Sequence, residues 1–461
     1  MESTLRSPIT DKEDVREPSA ELSRTPQSNE AEAPSIEAAQ PVTSRQSWHP
    51  LKALLHLRAF EALRHREFRL LWSGQACTGM GTWMDQVTRG WLIYELTNSP
   101  VQLGLVRGVQ AIPILLLSPL AGSIADRYQR KMQVMVAQVL DGLMYATLAL
   151  LIFTDLIQSW HVYATAIGAA IVQAFQQPAR AAMVADAVPR SHLTNAIGLN
   201  AIVFNVARTI GPALAGLLIA MFGTGGSYAV QAAFYLLATA STVPLRPAQR
   251  ASRSSHGHSA EASFGRSIID GWKFSWKNEA VRAGLLITAF ASLFIIPFMT
   301  LLPVFARDIL GVGATGQGLL LTAMGVGALC SAILIASLGD QLPRGILMLG
   351  GVTLYGLTVV AFSASPWFKL SMALMTIIGL SHVSCHALVQ TVIQAYSPSE
   401  FRGRTMAVFH MSSVLMTLGS MLIGVLASLL GARWAVASMG AAGALTMVAI
   451  YVALPRARLI R

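Results

Sequence analysis

Twelve apolar segments, each close to the ~20 residues a helix needs to cross hydrocarbon, recur through this 461-residue chain from Phe68 onward. They fall at roughly 68–96, 101–123, 132–154, 162–186, 193–221, 228–245, 283–305, 315–338, 346–364, 368–395, 404–430 and 434–454. Irregular backbone cannot face lipid without leaving its polar groups unsatisfied, so the segments are expected as helices, not strands. Charged residues are 12% of the chain, about half the ~25% of an ordinary globular domain. Nineteen of the 57 lie in residues 1–66. The remainder cannot cover a water-facing surface, which excludes a soluble enzyme and the collagen-like, disulfide-scaffold and wholly disordered classes.

Residues 1–47 are polar, rich in Ser, Pro, Glu and Thr, and are expected as a disordered cytoplasmic tail with no signal peptide. Residues 48–67 place Leu51, Leu54, Leu55 and Leu63 among Lys52, Arg58, Arg64 and Arg66. That pattern suits an amphipathic juxtamembrane helix, lying on the inner membrane surface or packed on the core. Cys77, Cys330 and Cys385 each sit in an apolar stretch without metal-ligand spacing. Of the 25 Lys and Arg after residue 66, 19 fall at the face shared with the N-terminus and three (Arg307, Lys369, Arg433) at the other. The asymmetry predicts both termini in the cytoplasm. The polar stretch 246–282, with seven basic residues, reads as a cytoplasmic linker between an N-terminal bundle, 68–245, and a C-terminal bundle, 283–454, followed by a tail at 455–461. Its basic excess points to inner-leaflet lipid, not nucleic acid. His256 and His258 read as solvated linker residues.

The two halves form a weak internal repeat. Thr209, Gly211 and Gly216 match Thr417, Gly419 and Gly424 at an offset of 208. Pro189 matches Pro398, and Tyr228 matches Trp434, at nearly the same offset. Paired bundles around a midplane site are the logic of alternating-access transporters.

Gly122-Ser-Ile-Ala-Asp126-Arg127-Tyr-Gln129-Arg130-Lys131 resembles the helix 2–3 signature of the major facilitator superfamily, Gly-x-x-x-Asp-Arg-x-Gly-Arg-Lys, with Gln129 in place of the usual Gly. The resemblance covers 68–454. It implies an all-α membrane protein of twelve transmembrane helices in two pseudo-symmetric six-helix bundles. It also implies that Asp126, facing a cation such as Arg180 or a helix N-terminus, latches the bundles; Arg127, Arg130 and Lys131 serve as latch or as topology signal. Ala207-Arg208-Thr-Ile-Gly211-Pro212-Ala-Leu-Ala-Gly216 is similar to the helix 5 motif of proton-coupled exporters in the superfamily, with degraded spacing. Gly81, Trp83, Trp91, Glu95, Asn98, Pro100, Pro303 and Phe305-Ala306-Arg307 resemble the bacterial branch of drug and siderophore exporters that includes the enterobactin exporter.

Ionisable groups at membrane depth are costly and are functional candidates by default. Asp85 and Arg89 are four apart in span 1 and can pair. Arg107 in span 2 lies at the depth of Arg89, about nine residues or ~13 Å from the turn at Asn98. Two arginines and one carboxylate leave positive charge that favours an anionic or polyphenolic substrate, or else form a static cluster. Arg208 either faces the cavity or pairs with Asp85 or Asp141, and Asp141 is either a proton carrier or a paired structural carboxylate. Gln173 and Gln177 in span 4 are repeated by His382 and His386 in span 10, followed by Gln390 and Gln394. The resemblance puts both helices at the central cavity, where such a stripe suits a polyfunctional ligand. Each histidine either titrates there or makes an ordinary interhelical hydrogen bond.

No Ser/His/Asp order, phosphate loop or catalytic carboxylate pair stands out, so neither enzyme activity nor a cofactor is expected. The expectation is a secondary transporter of the bacterial cytoplasmic membrane, monomeric, exporting a small amphipathic drug or siderophore against protons. The alternatives are an importer of a metabolite and a non-transporting sensor or scaffold.

Overall fold

A computed structural model describes the backbone of residues 58–246, 272–338 and 344–454. It describes the side chains of those residues except 58–59, 118–127, 336, 338, 344, 346, 383–387, 399–400, 407 and 413. The described chain is helical almost throughout: α1 (Arg66–Thr97), α2 (Pro100–Arg127), α3 (Arg130–Phe153), α4 (Ser159–Asp186), α5 and α6 (193–222 and 224–242), α7 (Glu279–Ile309), α8 (Gly313–Leu338), α9 (Arg344–Ala364), α10 (Phe368–Tyr396), α11 (399–430, with a turn at Met411) and α12 (Ala432–Ala453). Most of these are long and apolar enough to cross a membrane. By composition α1 and α4 fall short, and both carry polar groups at membrane depth.

Helices alternate direction, so the turns sort into two ends. Those at Asn98, Asp155, Gly223, Gly311, Ser365 and Gly431 share one, here the distal end; those at Gln129 and Pro189 share the proximal end. Gly223 (φ 70°, ψ −179°) and Gly431 (φ 82°, ψ 155°) turn α5 into α6 and α11 into α12. Both have a backbone that only glycine adopts readily, and they stand 208 positions apart.

The halves meet along two helix pairs, α2 with α11 and α5 with α8. In hydrocarbon no hydrophobic force draws helices together, so close packing through small residues must do it. A β-carbon on Gly104 would stand 2.4 Å from the Ser420 carbonyl oxygen, and one on Gly318 would stand 2.4 Å from that of Pro212. Likewise Gly424 abuts Pro100 and Val101, and Gly216 abuts Ala314 and Thr315. Shifting α2 by 214 positions and α5 by 208 maps one seam onto the other, contact for contact. Among the described residues, three hydrogen bonds cross between the halves from mid-membrane to the distal end: Thr322 Oγ1 to Thr209 O at 2.9 Å, Thr315 Oγ1 to Gly216 O at 3.3 Å, and Tyr94 to the Asp308 carboxylate. The Arg307 guanidinium lies over the Tyr94 ring.

Four local features differ from or refine the sequence reading. Distal to Phe290, α7 breaks into π and 3-10 turns around Pro297 and Pro303, each of which removes a helix donor. Arg58–Arg64 forms 3-10 turns packed on the base of α1 and α5: Ala62 is fully buried and its N–H donates to Asn195 Oδ1 at 3.0 Å. Gln129 is extended at φ −63°, ψ 115°, so a side chain there needs no glycine. Of the linker, 272–277 is a helical turn on which Phe274 stacks with Phe401 at 4.8 Å. The tails 1–47 and 455–461, residues 48–57 and the linker portion 247–271, with His256 and His258, lie outside the described residues, as does the Cys385 side chain.

Valine at Gly104 or Gly318 is expected to destabilise the protein by about 1–3 kcal/mol, because carbonyl oxygens cannot move aside. Valine at Gly350, where nothing lies within 4 Å of a β-carbon, should cost much less. Thermal unfolding in detergent checks the difference.

Candidate functional site

Between the seams, α1, α2, α7 and α8 line a small, partly open cavity walled by Gln86, Arg89, Arg107, Thr300, Pro303 and Gln317, among others. A second, smaller cavity adjoins it, sharing Gln86, Met299 and Leu321, and is walled by Trp83, Arg208, Pro212 and Met324. Both halves of the chain supply the walls. The broken stretch of α7 supplies Met299, Thr300 and Pro303, and its unwound backbone makes room there.

Arg89 is the largest fully buried side chain of the described residues, at 2% exposure. Its Nε donates to Asp85 Oδ2 at 2.9 Å, and its Nη1 donates to Val162 O at 3.1 Å and Thr165 Oγ1 at 3.0 Å. The i, i+4 spacing on α1 makes the first bond, and α4 supplies the other two. Arg107 Nη2 donates to the Gln86 carbonyl at 3.2 Å, and Arg107 forms no ion pair among the described residues. The Arg208 guanidinium lies 5.6 Å from the centre of the Trp83 ring, a cation–π contact. Four buried polar atoms around these cavities have no hydrogen-bond partner in the protein: Arg89 Nη2, Asp85 Oδ1, Gln317 Oε1 and Trp83 Nε1. Buried polar atoms are normally paired, so this cluster marks a place built for something besides packing.

Deeper in the first half, Asp141 on α3 is 5% exposed beside Tyr145, Tyr235 and Arg180. Asp141 makes no hydrogen bond among the described residues, while Gln138 Oε1, Gln176 Nε2 and Arg180 Nη2 are buried without partners. Tyr145 stacks on Tyr228, with ring centres 5.9 Å apart, and Tyr228 neighbours Asp85. The two carboxylates are thus linked by an aromatic wall.

A family model described as transmembrane secretion effector matches residues 57–459. The chain belongs to that family, within the major facilitator superfamily. It is similar to the staphyloferrin A transporter of Staphylococcus aureus (25% identical; 76% of this chain, 87% of the relative), the multidrug efflux pump Tap of Mycobacterium bovis (25%; 69% and 76%) and macrolide efflux protein A of Streptococcus pyogenes (23%; 79% and 89%). Its fold is shared with a bacterial homologue of the human lysosomal transporter Spinster (TM-score 0.65, 16% identical; 86% of this chain, 96% of the other) and with the nucleoside transporter NupG D323A mutant (0.65, 12%; 83% and 99%). The protein is therefore a multi-pass membrane transporter of small molecules, not an enzyme.

In this family fold the residues singled out from the sequence separate into groups. Arg89, Arg107 and Arg208 line the cavities, with Asp85 behind them bonded to Arg89; Arg208 contacts Trp83 and pairs with neither Asp85 nor Asp141. In the helix 5 motif, Gly211 packs against Trp83 and Met80 of α1, whereas Pro212 and Gly216 form the seam with α8. In the helix 2–3 signature, Arg130 Nη1 pairs with Asp186 at 2.5 Å and Lys131 Nζ donates to Val243 O at 2.7 Å, both within the first half. The side chains of Gly122, Asp126 and Arg127 lie outside the described residues. Arg180 lies close to Asp141 and Tyr235. Gln173 and Gln177 are exposed and Gln390 is half-buried, whereas His382 sets its ring edge on Tyr355 of α9, 5.6 Å away. His386 lies outside the described side chains. The sequence reading missed Gln86, Thr300, Gln317, Gln138, Gln176 and the tyrosines Tyr145, Tyr228 and Tyr235. The signal for the glutamines was an amide in an otherwise apolar span.

Replacing Arg89 with Leu leaves the Asp85 carboxylate buried without its partner and is expected to cost about 3–5 kcal/mol. Adding Asp85→Asn should recover much of that loss. A double-mutant cycle read by thermal unfolding measures the coupling.

Proposed function

We propose that this transporter is a proton-coupled exporter of a small amphipathic compound, working by alternating access in a bacterial cytoplasmic membrane. The observation that carries the reading is a charged cavity lying between two halves whose seams are related by internal symmetry. Such an arrangement lets the halves rock about one site. The hydrogen bonds crossing the distal portion of the seam support a form closed distally. The excess of Lys and Arg near the proximal turns supports a cytoplasmic proximal end, with both termini on that side. Export rests on the efflux named in two of the similar proteins, Tap and macrolide efflux protein A. The chain acts as a monomer, each copy holding its own cavity, and 68–245 and 283–454 are its two moving bodies, joined through 246–282.

Asp141 carries the proton. It is buried, free of hydrogen bonds, and within electrostatic reach of Arg180 and Asp85. Asp85 is held by Arg89. Gln173, Gln177, His382, His386 and Gln390 line the path, and the 122–131 signature latches the proximal end.

Inside-out vesicles with an acidified lumen, screened against drugs and siderophores, should accumulate at least one compound. A protonophore should abolish the accumulation. Asp141→Asn should lose this pH-driven accumulation yet keep substrate counterflow. Accumulation confined to right-side-out vesicles would make the protein an importer, and no protein-dependent movement in either orientation would favour a sensor or scaffold.

A further inference from the structure

The charge around the cavity says more about the substrate than the family does. Three arginines border the two joined cavities, Arg89, Arg107 and Arg208, and one carboxylate, Asp85, stands among them. That carboxylate is taken: its Oδ2 accepts from Arg89 Nε at 2.9 Å. Among the described residues Arg107 and Arg208 form no ion pair; the first meets a backbone carbonyl and the second an indole face. The next acidic side chain at membrane depth, Asp141, sits on α3 with its own cation, Arg180, beside it. The wall facing the cavity therefore keeps two uncompensated positive charges in a low-dielectric setting, where an unpaired charge is expensive.

Two further observations show that the site is built to receive a ligand. Arg89 and Gln317 are each 2% exposed, both line the larger cavity, and each presents a polar atom, Nη2 and Oε1, with no partner in the protein. Besides Gln86 and Thr300, the rest of the lining is largely apolar, with Leu103, Val106, Met299 and Leu321 among it. A cation would meet three guanidinium groups against a single carboxylate, one oxygen of which already accepts from Arg89. An anion would give Arg107 a charged partner and lower the cost of the Arg208 charge nearby, and its apolar body would cover the Leu, Met and Val surface.

We infer that the site binds an amphipathic organic anion, with its negative group held by Arg107 and the Arg89 Nη2 edge and its apolar part extending toward Trp83 and Arg208. The inference rests on the transporter reading and narrows its substrate class. It sets this chain apart from a pump for cationic drugs.

The test is isothermal titration of the purified full chain in detergent with three naphthyl compounds of matched size: 1-naphthylacetate, 1-naphthylmethanol and 1-naphthylmethylammonium. Empty micelles serve as the blank. The acid should bind roughly tenfold or more tightly than the other two, as one charge-assisted contact implies. Arg107→Gln should erase that preference, Arg107→Lys should keep part of it, and Arg208→Gln should weaken binding of the acid independently. Unchanged unfolding temperatures would show that the variants are intact. Inorganic phosphate and chloride at equal ionic strength are the comparison for a simple point-anion site. Equal or tighter binding of the ammonium compound overturns the inference, as does a preference that survives Arg107→Gln. Displacement of the acid by phosphate at matched concentration overturns it too. None of these results touches pH-driven accumulation in vesicles, so the substrate class can fail while the transporter reading stands.

Discussion

The structure depends on how closely two backbones can approach inside a lipid bilayer. Water drives no association there, and two apolar bundles gain nothing from each other that lipid does not supply. The seam is held where a glycine of one helix meets a carbonyl of its partner: Gly104 on Ser420 and Gly318 on Pro212. Contacts of this Cα–H···O kind are individually weak but dense and repeated. A seam made of many small contacts and few strong bonds can be rebuilt elsewhere along the same helices. Large apolar side chains interlocked across it would resist such sliding.

The second constraint is electrostatic. The bilayer makes every charge at membrane depth costly, so each needs a reason to be there. Asp85 and Arg89 offset each other, and their position beside Val162 and Thr165 fixes α1 to α4. Arg107 and Arg208 have no such offset, and they face space. Asp141 and Arg180 form a third grouping behind Tyr145 and Tyr235. The first half thus carries most of the ionisable chemistry, while the second half closes the cavity with Met299, Thr300, Gln317 and Leu321. The fold is symmetric, and the function laid over it is not.

Much of this was legible in the residues themselves. The apolar runs mark the helices to within a few positions because membrane thickness fixes their length. The offset of 208 between Gly211–Gly216 and Gly419–Gly424 foretells the paired seams, since only small residues fit such contacts. The spacing of Asp85 and Arg89 gives their pairing directly. Other features depend on tertiary position. Nothing in the periodicity says that α7 unwinds past Phe290, although Pro297 and Pro303 in one span are a hint. Gln317 lies four residues into an apolar helix and reads as a surface amide until α1 and α2 are placed against it. His382 repeats the position of Gln173 in the sequence, but its ring contact with Tyr355 of α9 could not be read there, because equivalent positions on equivalent helices need not have equivalent neighbours.

The central claim is that two rigid halves pivot about one site. Pulsed electron–electron distance measurements on spin labels in a cysteine-free background test it most directly. One pair would sit at Leu156 and Trp367 at the distal end, the other at Tyr128 and Arg402 at the proximal end, all exposed positions. In proteoliposomes, acidification together with 1-naphthylacetate should lengthen the distal distance and shorten the proximal one. Two distances that stay fixed, or that move in the same sense, would contradict the account.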